Sequence, residues 1–278
     1  MSTIYLDYNL IAIMGGRTRP NAEWLENHIL QVVADGNQVA LSAWHALELS
    51  RSSHEGHVRA CIDVVDRLDP VWLSNPSYVK AEELKGFLTK ELEFTNLEPH
   101  ANPAVNTVIS QMWSTYGEAF VGETFGHTVN ALRSNPAATE TITDAIGQTP
   151  KAILTGRKAV KDGRSKNFKT LIDREYFGGL VPSVAIKEID YLVTHIDRVL
   201  ELCPAIAIEH YLTQIRVTED FVPKESDAAD LQHATVAVAY CDYFVSDDKM
   251  LVEHCRRTAK QVGVDCMIGR NLADVPVR

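Results

Sequence analysis

The stretch YFVSDDKML, from Tyr243 to Leu251, joins a strand pattern to a pair of acids. Its apolar run ends abruptly in Ser246, Asp247 and Asp248, and a helical pattern follows. The stretch therefore predicts a buried strand, an acidic loop and a helix. Because ligand sites in open α/β sheets gather at the carboxyl ends of strands, the two aspartates are candidates for a functional site.

The composition of the chain is that of a globular protein. It has 278 residues, of which 45% are hydrophobic, and a formal net charge of −10. No apolar run reaches the roughly 18 residues of a membrane span, and the first residues lack a signal-peptide pattern, so we expect a cytoplasmic protein. The five cysteines contain no CxxC pair, which predicts free thiols. The acidic charge disfavours a surface that is basic throughout but permits an acidic metal site.

Alternating strand and helix patterns predict an α/β fold with a parallel sheet and helical crossovers. Between residues 77 and 215 the strand signals nearly vanish, which predicts a helical insertion. The segments 1–76 and 216–278 would then form one discontinuous domain. The predicted strands cover residues 3–7, 38–42, 70–74, 243–247 and 265–269.

Four acids from separate segments are placed to meet. Asp7 closes the first strand, and Glu48 lies on the helix after the second strand. Asp230 and His233, at positions i and i+3, share one face of the helix that leads to the strand before Asp248. Mutual repulsion would raise the pKa values of clustered carboxylates unless a cation lay between them. Hard oxygen ligands favour Mg²⁺ or Mn²⁺.

The segments IYLDYNLI, LSAWHALEL, DAADLQHATVA and YFVSDDKML resemble, in that order, the acidic motifs of PIN-domain nucleases. The resemblance covers the segments 1–76 and 216–278. It implies a doubly wound parallel sheet and metal-dependent cleavage of a single-stranded or structured nucleic acid, most often RNA. Many family members are toxins of bacterial toxin–antitoxin pairs. The spacing from Asp230 favours Asp248 over Asp247 as the fourth acid. The ligands that the resemblance implies are Asp7, Glu48, Asp230 and Asp248.

Other residues are expected to support these acids. Asn9 matches a polar residue of the family and would orient Asp7 or a metal-bound water. Ser246 would hold neighbouring carboxylates through its hydroxyl. We expect Asp247 to point outward, either in a solvated turn or as the N-cap of the last helix, and His233 to lie at the rim of the site.

A local excess of basic residues from 151 to 177 predicts a surface for phosphates, with Phe168, Tyr176 and Phe177 available for base stacking. Arg157, Lys158 and Lys161 are its candidate substrate contacts. The alternative is an ordinary solvated basic surface. The basic side chains of the run are Lys151, Arg157, Lys158, Lys161, Arg164, Lys166, Lys169 and Arg174.

The glycine-rich segment MGGRTRPN, residues 14–21, lies close to Asp7 in the sequence. It lacks the spacing of a nucleotide-binding loop. We expect it to form a rim from which Arg17 and Arg19 contact the substrate.

Each acid also has an ordinary structural explanation, such as a helix cap or a first-turn charge. One alternative function is a catalytically inactive PIN-like scaffold that binds RNA or protein. Another is a metal-dependent phosphatase of the haloacid-dehalogenase type with Asp7 as nucleophile, although that family has an aspartate where this chain has Asn9. An antitoxin protein and a second copy of the chain remain open as partners.

Overall fold

The computed structural model describes residues 1–92, 99, 102–116, 124–162 and 172–275. The fold is α/β and has one six-stranded, mostly parallel sheet, which confirms the expected class. Its strand order is β4-β3-β2-β1-β5-β6, and only β4 is antiparallel to its neighbour. The strands are β1 (Thr3–Leu6), β2 (Gln38–Ser42), β3 (Val71–Leu73), β4 (Val105–Asn106), β5 (Tyr243–Val245) and β6 (Met267–Gly269).

Helices make up most of the remaining described chain, and no helix in this described part is long and apolar enough to cross a membrane. They are α1 (Tyr8–Gly16), α2 (Ala22–Ala34), α3 (Ala43–Ser50), α4 (Glu55–Leu68), α5 (Pro76–Leu92), α6 (Ile109–Ser114), α7 (Phe125–Ser134), α8 (Pro136–Lys161), α9 (Arg174–Leu180), α10 (Ile186–Thr194), α11 (Ile196–Leu202), α12 (Pro204–Thr218), α13 (Ser226–Tyr240) and α14 (Lys249–Val262).

Both faces of the sheet are buried. In β1, Ile4 and Leu6 join a cluster with α1, α2, α4 and α7, whereas Tyr5 joins a cluster with α5, α12, α13 and α14 on the opposite face. This two-sided burial explains why the parallel strands read as continuous apolar runs. The five cysteines are free thiols, and all but Cys266 are buried.

The segment 77–215 is more closely joined to the sheet than we expected. It supplies β4, which pairs with β3, and α7, which packs against α3. The helix α12 runs across position 216, so the expected domain boundary falls inside a helix. A two-residue strand such as β4 carries no readable periodicity, which is why the sequence showed only helices here. The segment also builds its own cluster between α5 and helices α9 to α12.

The parallel strands β1, β2, β5 and β6 point their carboxyl ends at one edge of the sheet. At this edge Leu6 pairs with Val245, and the amide of Asp7 donates to the Val245 carbonyl at 2.9 Å. The strand before Asp7 and the strand before Ser246 therefore end side by side. The strand β2 has the predicted bounds, whereas β1 and β5 end before the predicted limits because Asp7, Ser246 and Asp247 already belong to the loops.

Candidate active site

Asp7 lies at the centre of this edge and is held from two sides. It caps the N-terminus of α1, where Oδ1 accepts from the Tyr8 amide at 2.8 Å. Its Oδ2 accepts from the Ser246 hydroxyl at 2.6 Å, and the Ser246 oxygen in turn accepts from the Asp248 amide at 3.1 Å. Burial raises the pKa of Asp7, an effect that the nearby His233 and Ser246 oppose. Ser246 thus joins the first and the fourth acid.

Asp248 is the N-cap of α14. Its Oδ1 accepts from the amides of Met250 and Leu251 at 2.7 and 2.9 Å. Of the two roles expected for Asp247, that of the N-cap is wrong, and Asp247 lies instead in the turn before the helix. The cap lies directly before the first helical residue, Lys249, because only from that position can a short side chain reach back to the free amides of the first turn.

Asp247 turns toward two arginines. Its Oδ2 accepts from Arg19 at 2.5 Å, and its Oδ1 lies 3.9 Å from Arg270. Arg270 also donates to the Asp247 carbonyl at 3.1 Å, and the Asn9 side chain accepts from the Asp247 amide at 3.4 Å. Asn9 therefore positions the loop after β5, whereas Asp7 itself is held by Ser246.

Asp230, on α13, lies within electrostatic range of two other acids. Burial raises its pKa to about 7; Arg216 lowers it, while the charges of Asp7 and Asp248 raise it further. The Nη2 of Arg216 lies 3.9 Å from Oδ2 of Asp230. Arg216 is buried and also donates to the carbonyl of Asp227. A fixed cation thus lies beside the acids, and the sequence analysis did not anticipate it.

Glu48 is bound by His233. The Nε2 of His233 lies 2.9 Å from Oε2 of Glu48, and its Nδ1 pairs with the hydroxyl of Tyr5. His233 is 1% exposed, so our prediction that it lies at the rim was wrong. It is on the face of α13 that packs against the sheet. Burial lowers the pKa of His233, but the hydrogen bond and charge of Glu48 outweigh burial and raise it overall.

A second buried histidine completes a polar layer below the acids. His45 donates from Nε2 to the Leu6 carbonyl at 2.7 Å and accepts the Ser42 amide at Nδ1 at 3.1 Å. Its ring centroid lies 4.9 Å from that of His233. Burial, reinforced by His233, lowers the pKa of His45 to about 3, which keeps it neutral. Sequence reasoning missed this layer, although Tyr5 inside an apolar strand was a signal, since a buried tyrosine hydroxyl needs a partner.

The four acids lie within electrostatic range of one another at this edge, without direct contact between their carboxylates among the hydrogen bonds of the described residues. Asp7 interacts electrostatically with Glu48 and Asp230, and Asp230 with Asp248. Among the described residues, however, no group of three or more His, Cys, Asp or Glu side chains has the arrangement of a metal site. The reason is visible in the hydrogen bonds, because Glu48 faces His233 and Asp248 faces its own helix.

The donor chemistry nevertheless fits a hard divalent cation. Within the described chain, Oε1 of Glu48, Oδ1 of Asp230 and Oδ2 of Asp248 accept no hydrogen bond. Carboxylate oxygens are the ligands that Mg²⁺ and Mn²⁺ prefer.

The expected substrate contacts on the glycine-rich segment are engaged within the protein. Arg17 pairs with Glu26 at 2.5 Å, and Arg19 pairs with Asp247. Both arginines keep about half of their side-chain surface exposed. Arg19 is the nearer of the two to the acids, since its partner adjoins Asp248.

Arg157 is not a surface residue, which corrects its assignment as a substrate contact. It is buried and donates to the carbonyl of Arg216 at 3.0 and 3.2 Å and to that of Phe221 at 2.5 Å. Its guanidinium also lies over the Phe221 ring, 4.6 Å from the centroid. Lys158 and Lys161, on the same helix, are exposed. Only these two of the three proposed contacts are open to a phosphate.

The aromatic residues near the basic run are also unavailable for stacking on a base. Phe177 is fully buried in the helical cluster, and Tyr176 donates to Glu209 at 2.8 Å. Arg174 pairs with Asp190 at 2.6 Å. Lys151 is exposed, whereas Phe168, Arg164, Lys166 and Lys169 lie outside the described residues.

Comparison of the chain with protein-family models, with curated proteins and with solved structures gives no match. The functional assignment therefore rests on the four acidic motifs and on the geometry at the carboxyl edge of the sheet.

Proposed function

We propose that the chain is a Mg²⁺- or Mn²⁺-dependent endoribonuclease of the PIN type. The observation that supports the proposal is that Asp7, Glu48, Asp230 and Asp248, from four separate segments, lie within electrostatic range of one another near the carboxyl edge of a parallel sheet. The order of the parallel strands, β3-β2-β1-β5-β6, places β1 and its Asp7 in the middle, and both faces are covered by helices. This arrangement supports the doubly wound PIN-type architecture.

The four carboxylates would hold the divalent cation directly or through water. When bound, such a cation supplies an activated water and neutralises charge on a phosphodiester. A cluster of carboxyl groups with raised pKa values favours the binding of a cation, because the cation lowers the free-energy cost of ionising these groups together. Both Asp7 and Asp230 have raised pKa values in this structure.

The surrounding residues would keep the carboxylates oriented. Ser246 holds Oδ2 of Asp7 and the Tyr8 amide holds Oδ1, so the orientation of the carboxylate plane is fixed. His233, supported by Tyr5, holds one oxygen of Glu48 and leaves the other open. Such partners behind metal-binding groups tune both affinity and geometry.

Arg216 would play an electrostatic part. Its guanidinium lowers the pKa of Asp230 and so favours the ionised, cation-binding form of that carboxyl. Arg157 holds the carbonyl of Arg216 and thereby contributes to the position of this part of α12. Arg157 would therefore contribute by positioning Arg216, and not by direct contact with RNA.

The proposal is tested by incubating the purified chain with single-stranded RNA, hairpin RNA and single-stranded DNA. Each substrate is tested with Mg²⁺, with Mn²⁺ and with a chelator. We expect internal cleavage of RNA that requires a divalent cation and stops in chelator. An Asp7→Asn preparation, purified in the same way, controls for contaminating ribonuclease. Cleavage that persists in chelator, or in Asp7→Asn, would reject the proposed active site.

A second candidate is a PIN-like scaffold that binds RNA or protein without catalysis. The observation that favours it is that Glu48 and Asp248 both face protein donors, as structural residues do. Calorimetric titration with Mn²⁺ separates the two candidates, because the scaffold needs no cation. Within the nuclease proposal, the role of a cytoplasmic toxin with a protein antitoxin carries over from the family resemblance.

A further inference from the structure

An exposed aromatic stack lies on α2. Trp24 is 48% exposed, whereas Trp72 and Trp113 are buried. Its ring stacks on that of His28, with the centroids 5.1 Å apart and the planes inclined by 15°. The histidine supports one part of the indole while the exposed part faces solvent. A flat, rigid and exposed aromatic surface of this kind can stack on an unpaired base.

The stack adjoins the edge of the sheet that carries the acids. The Nε2 of His28 donates to the carbonyl of Leu272 at 2.9 Å. Leu272 lies just beyond the carboxyl end of β6, and β6 is paired in parallel with β5. Between β6 and Leu272 stands Arg270, which contacts Asp247 in the loop after β5. The contacts of Arg270 with Asp247 and of His28 with Leu272 therefore place Trp24 on the side of the molecule that carries Asp247 and Asp248.

The surface around Asp247 carries surplus positive charge. Arg19 and Arg270 approach the same carboxylate, that of Asp247, so two guanidiniums face one anion. Their side chains are 48% and 49% exposed. Exposed guanidiniums offer several donors and remain charged at any physiological pH, which suits them to phosphate. Positive charge next to an aromatic plane matches a single strand, whose phosphates and unpaired bases alternate.

We propose that Trp24, His28, Arg19 and Arg270 form a binding surface for single-stranded RNA that leads into the acidic site. An unpaired base stacks on Trp24, and the two arginines contact the phosphates between that base and the acids. This inference rests on the proposed nuclease function and deepens it, because it assigns an unpaired substrate and the side from which it enters.

Binding is measured separately from cleavage. Fluorescence anisotropy of a labelled single-stranded RNA of about twelve nucleotides is followed in chelator, which prevents metal-dependent hydrolysis. We expect Trp24→Ala to weaken binding about tenfold, and Trp24→Phe, which retains an aromatic plane, to remain within about threefold of the unaltered chain. Ile186→Ala, at an exposed apolar residue of α10, is the matched control and should bind like the unaltered chain.

A duplex RNA of the same sequence is the competitor. Its bases are paired and cannot stack on Trp24, so it should compete at least about tenfold less well. RNA binding should also quench tryptophan fluorescence, and Trp24→Phe should abolish most of that quenching. Unchanged affinity of Trp24→Ala, equal competition by duplex, or no RNA binding by the unaltered chain would each overturn the proposed surface.

The two proposals fail in different ways. If the unaltered chain cleaves RNA and Trp24→Ala has the same KM, the binding surface is rejected and the nuclease stands. If Trp24→Ala loses RNA affinity but the unaltered chain does not cleave RNA in Mg²⁺ or Mn²⁺, the nuclease is rejected and the binding surface stands.

Discussion

Ser246 donates its hydroxyl proton to Oδ2 of Asp7 at 2.6 Å, although 239 positions of sequence separate the two residues. The bond joins the ends of β5 and β1, and the same serine oxygen accepts the amide of Asp248. One hydroxyl therefore connects the first and the last acid of the proposed site. This contact fixes Asp7 and Asp248 relative to each other at the carboxyl edge of the sheet.

Asp248 and Asp247 differ in what their carboxylates do, so their asparagine variants should differ as well. Asparagine is as good an N-cap as aspartate, and Asp248→Asn should therefore retain the start of α14 while removing a charge from the cation site. We expect RNA cleavage to fall at least about 100-fold, with unfolding free energy within about 0.5 kcal/mol of the original.

Asp247→Asn is the matched control. It removes the carboxylate charge that faces Arg19 and Arg270 at the protein surface. It should lower cleavage less than about fivefold, because ion pairs with solvent-exposed arginines are worth about 1 kcal/mol or less. Cleavage rates at saturating RNA and urea unfolding curves are the two measurements. If Asp247→Asn proved the more damaging, the assignment of the fourth acid would be reversed.

The sequence predicted those features that follow from strand ends and helical spacing. A strand that stops at Asp7 and another that stops at Ser246 had to meet if the sheet was parallel, and they do. Burial of individual polar side chains was not predictable, because it depends on which face of a helix meets the sheet. His233 and Arg157 both looked accessible for this reason, and both are buried. The choice between Asp247 and Asp248 as the cap depended on a single residue of helix boundary.

Tyr5 and His233 form a buried hydrogen bond below the acids. Removal of the Tyr5 hydroxyl should therefore lower the stability of the protein. Tyr5→Phe leaves Nδ1 of His233 without its tyrosine partner in a fully buried place. We expect the free energy of unfolding to fall by about 1–2 kcal/mol. Tyr243→Phe is the control, since the Tyr243 hydroxyl makes no hydrogen bond with a described residue. Equal urea midpoints for the two variants would show that the Tyr5 bond contributes nothing.

Arg157 and Lys158 are neighbours in the sequence but should give opposite results. Arg157→Ala removes hydrogen bonds to two buried carbonyls and the contact with Phe221, and should lower the free energy of unfolding by about 2–3 kcal/mol. Lys158→Ala, at an exposed position, should change it by less than about 0.5 kcal/mol.

RNA binding provides the second half of the comparison. If Lys158 contacts a phosphate, its alanine variant should flatten the dependence of log affinity on log salt by roughly 0.7. An unchanged slope for Lys158→Ala and for Lys161→Ala would identify this part of α8 as ordinary solvated surface. A fully stable Arg157→Ala would contradict the hydrogen bonds seen here.

Glu83, on α5, should make folding depend on pH. Its carboxylate accepts from the amides of Ala205 and Ile206 and from the hydroxyl of Tyr240. Burial raises its pKa to about 7 from an ordinary 4.5, and these donors only partly oppose the shift. A raised pKa means that the folded state holds the proton more tightly than the unfolded state. The stabilisation that the Glu83 proton gives to the folded state is complete below pH 4.5 and is lost as the pH rises through about 7.

Glu83→Gln removes this titration while keeping a carbonyl oxygen for the two donors to Oε1, the Ala205 amide and the Tyr240 hydroxyl. From pH 5 to pH 8 the original chain should lose free energy of unfolding that the variant keeps. The difference between the two proteins should therefore shift in favour of the variant by at most about 3 kcal/mol. Urea unfolding of both proteins at the two pH values measures the difference. Parallel pH profiles would show that Glu83 titrates normally.

The central claim is that the acids at the carboxyl edge bind a divalent cation that RNA cleavage requires. Its most direct test is RNA cleavage by the original chain and by Asp7→Asn, each stripped with chelator and then supplied with increasing Mn²⁺. We expect cleavage by the original chain to be restored in a saturable manner and Asp7→Asn to stay at least about 100-fold slower at every concentration. Equal rates for the two proteins, or cleavage independent of Mn²⁺, would contradict the account.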